Sequence, residues 1–163
     1  MLRLSGEESI EFARCPGCGA LVAGGHAGCR AALLKVLAHE YADPAYAAVH
    51  PLTVDAYALQ HPEDQPLRSR AFHLVRLCHV LEQGGDPAAS ADLPWLSAAL
   101  DGEPALPPLE PPPPTRRGRL TIDDVRRANS PEEHTQVVQA WAASVWEAWQ
   151  SHHEWARRLL REH

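Results

Sequence analysis

The chain has 163 residues, 45% of them hydrophobic, and a formal net charge of −6. That length suits one domain with a core that needs no disulfides, the composition excludes a disordered chain, and the acidic balance argues against a nucleic-acid partner held by bulk electrostatics. No run nears the roughly 18 apolar residues of a membrane span, and Met1 to Phe12, with Glu7, Glu8 and Glu11, has no apolar signal core. A cytoplasmic protein is expected, where four cysteines stay reduced and serve as ligands or core residues. Lys35 is the sole lysine, and with abundant Ala and Pro this is the bias of a GC-rich genome. The arginines therefore carry little weight as phosphate readers.

In chain order, Cys15 to Gly28 is short and glycine-rich, without a strand of useful length. It reads as a metal-held loop or a minimal ribbon. Leu33, Val36, Leu37 and Ala38 recur at helical spacing within Cys29 to Tyr41, and Asp43-Pro44 ends that helix. A second short helix is predicted over Leu52 to Gln60, with Pro51 at its start and Pro62 beyond its end. A third spans Leu67 to Gln83, with Leu67, Ala71, Leu74, Cys78 and Leu81 as its apolar stripe and Gly84-Gly85 as its stop. Leu93 to Leu100 gives one more short helix. Glu103 to Pro114 holds seven of the fifteen prolines. It is expected to be an extended, stiff spacer, with recognition by SH3-type domains as the minority reading.

Thr121 to Asp124 fits a cap for a turn over Ile122 to Ala128. Ser130, Pro131 and Glu133 form a fuller helix start, with Glu133 able to close a capping box. The helix that follows is predicted to reach Leu160, about 45 Å long at 1.5 Å per residue. Its stripe is Val138, Trp141, Val145, Ala148, His152, Ala156 and Leu159. Trp141, Trp146, Trp149 and Trp155 read as core and rim residues. The expected architecture is all-α, an irregular helical bundle with a small zinc-knuckle-like N-terminal loop. Residues 1–163 form a single domain in this reading: a metal-held loop at 1–28, a helical core at 29–102, the Pro-rich connector at 103–118, and C-terminal helices at 119–163.

Two clusters carry chemistry. Cys15-Pro16-Gly17-Cys18-Gly19 lets two thiolates face one ion, and zinc takes four sulfur or nitrogen ligands in a tetrahedron. His26 and Cys29 follow at the same spacing, so Cys15, Cys18, His26 and Cys29 can close a first site locally. A redox use of the pair wants a βαβ setting that this chain lacks. Cys29 also starts a helical stripe, so a plain core cysteine is a live alternative, and His26 can simply be solvated. In that case another histidine supplies the missing ligand.

The second cluster is His50, His61, His73 and His152, a second or shared metal site if several helices project them inward. His50, Tyr57 and His61 share a face only as far as helical geometry holds between Pro51 and Pro62. Asp55 and Tyr57 would orient the ligating imidazoles. An open coordination position would turn bound water into a nucleophile. Any one of these histidines is more commonly a structural, hydrogen-bonded residue. Cys78 lies on a core stripe, where burial makes a thiol inert. No phosphate loop, G-x-S-x-G elbow or HExxH is present.

The run from His50 through Leu52-Thr53-Val54-Asp55-Ala56-Tyr57 to Gln60-His61-Pro62 resembles the signature of an uncharacterised bacterial family. In that family a CPxCG knuckle precedes an H-x-L-T-V-D-A-Y-x-x-Q-H-P segment. An H-L-x-x-L-C segment and a Trp-rich C-terminal helix with paired histidines follow. Here those are Cys15 to Gly19, His73 to Cys78, and Trp141 to His153. The resemblance implies shared architecture and metal binding, not a reaction. The loop between Cys18 and Cys29 is shorter than the family pattern, which bears on His26. A weaker, fold-level likeness is to the DinB-like helical superfamily, where histidines from different helices hold a divalent metal.

Three functions are carried forward. The leading one is a zinc-binding helical protein with a mainly structural cysteine site. The others are a metalloenzyme, a hydrolase or thiol-dependent transferase using the histidines, and a protein-interaction module recruiting a partner through the Pro-rich stretch.

Overall fold

The computed structural model describes residues 11–90 and 93–163. The acidic N-terminal stretch therefore lies, up to residue 10, outside the described residues. The described residues are mainly helical, as expected, with one small sheet. Strands β1 (Phe12–Arg14) and β2 (Leu21–Ala23) pair antiparallel, Ala13 opposite Val22, and the CPGCG knuckle is the loop between them. This is the minimal ribbon rather than a strandless loop: the Cys15 N–H donates to the Ala20 carbonyl at 2.8 Å and closes the turn.

The helices are α1 (Gly25–Ala42), α2 (Pro44–Ala47), α3 (His50–Gln60), α4 (Leu67–Gln83), α5 (Pro94–Gly102), α6 (Ile122–Val125), α7 (Pro131–Ala148) and α8 (His153–Glu162). Helix α1 begins four residues before the expected Cys29, so His26 and Cys29 sit three apart on one helical face. Its first turn lies hard against the hairpin. A Cβ at Gly28 would stand 1.7 Å from the Ala23 carbonyl oxygen, so only glycine lets the helix approach so closely.

Helix α3 is the centre of the bundle. Nearly every residue from Pro51 to Gln60 is buried, between α4 and α7 with α1 alongside. An all-round buried helix shows little amphipathic pattern. Leu52 and Leu59 meet Leu74, Leu77, Val138, Trp141 and Val145 in one core. Trp141, Trp146 and Trp149 are buried, and Trp155 packs at the core margin.

The expected continuous helix to Leu160 is broken. It stops at Trp149 (φ −93°, ψ 20°), passes through a 3-10 turn at Gln150–His152, and restarts as α8. The cause is packing and hydrogen bonding. Trp149 is fully buried and donates its indole N–H to the Leu59 carbonyl at 3.2 Å. His153 stacks flat on Trp146 at 3.7 Å and bonds its carbonyl at 2.7 Å. The break turns α8 back onto α4.

The caps follow the expected residues. Thr121 and Asp124 form a capping box, and Ser130 accepts from the Glu133 N–H at 3.1 Å. The Glu133 carboxylate accepts from Asn129, one residue before the cap. The Pro-rich connector is pinned to the fold. Leu109 is buried, and the carbonyls of Leu109, Glu110 and Pro112 accept from Arg70, His152 and Arg117. No helix among the described residues is long and apolar enough to cross a membrane.

Candidate metal centre

Three pieces of chain converge at the open end of α1. The hairpin loop brings Cys15 and Cys18, the second turn of α1 brings Cys29, and the residue that ends α3 is His61. Their donor atoms all lie within 4.8 Å of one another. All four residues are buried, Cys29 completely, and none of the cysteines forms a disulfide.

Three of the six separations match those of a tetrahedron. Sulfur at about 2.3 Å and nitrogen at about 2.0 Å from a central zinc put sulfurs about 3.8 Å apart and nitrogen about 3.5 Å from each sulfur. The Cys18 and Cys29 sulfurs are 3.7 Å apart. His61 Nε2 is 3.4 Å from the Cys15 sulfur and 3.6 Å from that of Cys29.

The imidazole is aimed by its other nitrogen. His61 Nδ1–H donates to the Tyr57 carbonyl at 2.8 Å, and the ring stacks on Tyr57 at 3.9 Å. A backbone acceptor on Nδ1 fixes the proton there and leaves the Nε2 lone pair facing the thiols. Gly17 makes room for the ring. A Cβ at that position would stand 2.4 Å from His61 Cδ2. The knuckle glycine is thus required by the histidine that arrives from α3, 44 positions along the chain.

Electrostatics also favour a cation. Hydrogen bonding from Cys29, against the opposing cost of burial, holds the Cys18 thiol down at about 4. Its negative charge falls on the neighbours: the hydrogen bond to Cys18 and burial drive Cys29 far above the usual thiol range, and burial raises Cys15. Three sulfurs that hinder each other's ionisation become compatible around a divalent ion, which coordinates thiolates. The Tyr57 hydroxyl is buried without a hydrogen-bond partner among the described residues. Burial and the adjacent Cys29 push its pKa up, so it stands ready to donate to a thiolate there.

Arg117 binds the surroundings together. Its buried guanidinium donates to the Gly17 carbonyl at 3.1 Å, the Gln60 carbonyl at 3.3 Å and the Pro112 carbonyl at 2.8 Å, and it pairs with Glu63. Nothing in the sequence around Arg117 marks this role. It clamps the knuckle, the end of α3 and the connector.

The other predicted residues are not among these four donors. His26 flanks the site: its Nδ1 is 3.6 Å from the Cys15 sulfur and its Nε2 is 3.4 Å from Asp64. His50 donates from Nδ1 to Glu40 at 2.8 Å. Glu40, on α1 and buried, also accepts from Thr53 at 2.6 Å and His134 at 2.9 Å, tying α1 to α3 and α7. His73 bonds Asp55 at 2.7 Å, and Arg76 grips the same carboxylate at 2.6 to 3.1 Å. His152 bonds the Glu110 carbonyl. Of the four histidines His50, His61, His73 and His152, only His61 joins the cysteines; the other three take separate acceptors. Asp55 orients His73, and Tyr57 orients His61.

No curated protein and no solved structure matches the chain, so the DinB-like analogy gains no support from them. A family model matches residues 13–150, most of the chain and every residue of the cysteine–histidine cluster. The chain belongs to DUF5946, a family of unknown function.

Proposed function

We propose that this protein is a zinc-binding helical protein whose centre, Cys15, Cys18, Cys29 and His61, is structural. The supporting observation is the orientation of His61: its Nδ1 is committed to the Tyr57 carbonyl while Nε2 faces two sulfurs at 3.4 and 3.6 Å. A Cys3His set of this size is a common structural zinc environment. Catalytic zinc keeps an open position, whereas four protein donors fill the tetrahedron. The soft, sulfur-rich set favours zinc over magnesium or calcium, which take oxygen ligands.

The role follows from what the ion would join. The hairpin has little core of its own: Val22 is buried, but Phe12 and Leu21 are exposed. A structural zinc contributes about 10–16 kcal/mol of apparent binding free energy at neutral pH. That rivals the whole net stability of an ordinary domain, about 5–15 kcal/mol. One ion therefore suffices to dock the hairpin onto α1 and α3. The test is elemental analysis of the purified chain beside Cys15→Ser/Cys18→Ser. The double variant is expected to lose about one zinc per chain and to gain protease sensitivity near residues 12–23. Unchanged metal content in that variant would refute the assignment.

A further inference from the structure

A cleft of about 350 Å³ lies among α1, α3 and α4, and Tyr57, which stacks on His61, forms part of its wall. Its walls include Leu33, Leu34 and Leu37 from α1 and Val54 from α3. Leu34 is 59% exposed, among the few large apolar side chains left to solvent. At one end is His73. The buried Asp55 carboxylate accepts from His73 Nδ1 at 2.7 Å and is itself held by Arg76. That turns Nδ1–H to the carboxylate and leaves Nε2 as the ring's other polar atom. Nε2 has no protein partner among the described residues, and the ring lines the cleft.

The other end carries Arg30. His26, one turn earlier on α1, pairs with Asp64, which places Arg30 toward the Asp64 and Gln65 side of the cleft. The Asp55 bond places His73 beside Val54. Arg30 to Leu37 is two helical turns, about 10 Å. Arg30 has no carboxylate partner among the described residues. Asp64 also lines the Arg30 end but is engaged by His26 at 3.4 Å, so the cleft runs from a guanidinium over an aliphatic wall to the second imidazole nitrogen of His73. Pockets with apolar walls and a few fixed polar groups are the usual form of small-molecule sites.

We propose that this cleft binds a small aliphatic carboxylate that bears a hydroxyl at its far end. The carboxylate pairs with Arg30, the chain lies on the leucines, and the hydroxyl hydrogen-bonds His73 Nε2. The probes are 6-hydroxyhexanoate and hexanoate, titrated into the full-length chain and followed by amide and imidazole nitrogen NMR. A ligand of this size binds in roughly the millimolar range. Saturable binding of 6-hydroxyhexanoate is expected, with a shift at His73 Nε2 that hexanoate does not produce. Leu34→Glu changes an exposed side chain and sets an acid in the cleft, so it is expected to abolish binding without lowering the melting temperature. Arg30→Gln should weaken binding about threefold, the scale of an exposed ion pair. No saturation up to about 20 mM, or equal shifts in Leu34→Glu, would overturn the proposal. So would probe-free, concentration-dependent dimerisation that broadens the cleft resonances, because a second copy would then be the occupant.

Discussion

Gly17→Ala isolates the fit between the knuckle and His61. The new methyl would sit 2.4 Å from His61 Cδ2 and 3.1 Å from Nε2, where carbon contacts need about 3.5–4.0 Å. The ring must give way by about 1 Å, yet the Tyr57 stack and the Nδ1 bond hold it in place. A displacement on that scale removes the nitrogen from a bond of about 2 Å. One ligand of four, shared from about 10–16 kcal/mol, is worth roughly 3 kcal/mol, or about a hundredfold in zinc affinity. Competition titration against a chromophoric chelator measures it. Gly19→Ala is the control. Gly19 has a φ of 78° but nothing within 4 Å of a Cβ, so its cost is backbone strain of about 1–2 kcal/mol without displacement of His61. If Gly17→Ala keeps wild-type affinity, or Gly19→Ala suffers more, His61 is not a ligand in the way described.

Alkylation separates the four cysteines. Burial, aided by Glu82, pushes the Cys78 thiol up to about 12, so it stays neutral at pH 7. Native protein exposed to iodoacetamide is expected to leave Cys78 unmodified, and chelation should expose Cys15, Cys18 and Cys29 first; early labelling of Cys78, seen by mass spectrometry, would contradict its burial. Arg117→Lys cannot reproduce a fork that reaches three carbonyls and Glu63. A loss of about 2–3 kcal/mol is expected, near 5–10 °C in melting temperature for a chain of this size, and an unchanged melting curve would remove the clamp. Protons compete with the metal for three thiolates and one imidazole, so zinc retention should fall steeply on acidification toward about pH 4. Retention followed by a zinc-sensitive dye and flat from pH 7 to about 4 would mean that sulfur and nitrogen are not the ligands.

Much of the fold was legible because helices announce themselves locally. Ser130-Pro131 marked the start of α7, and the 3.6-residue stripe from Leu67 marked α4. The break at Trp149 was not legible, because its cause is a carbonyl at Leu59, ninety positions away. The hairpin was legible only as a minimal ribbon, one of two readings, because three-residue strands in a glycine-rich loop offer no alternation to read. At the site, Cys15, Cys18 and Cys29 were visible as spacing. His61 was visible as a histidine but not as their neighbour, since sequence spacing favoured His26. Gly17 held the missing clue: it has an ordinary backbone, so its absent side chain answers to a ring brought in by α3. The spread of His50, His73 and His152 reflects three separate acceptors, the buried Glu40 and Asp55 carboxylates and the exposed Glu110 carbonyl, whose positions no local pattern reveals.

Zinc stoichiometry on the purified chain tests the metal centre most directly. Elemental analysis is expected to give one zinc per chain, falling to near zero in Cys15→Ser/Cys18→Ser and reduced in His61→Ala, with His26→Ala unchanged. A metal content that ignores the cysteine substitutions, or that follows His26 rather than His61, would contradict a zinc held by Cys15, Cys18, Cys29 and His61.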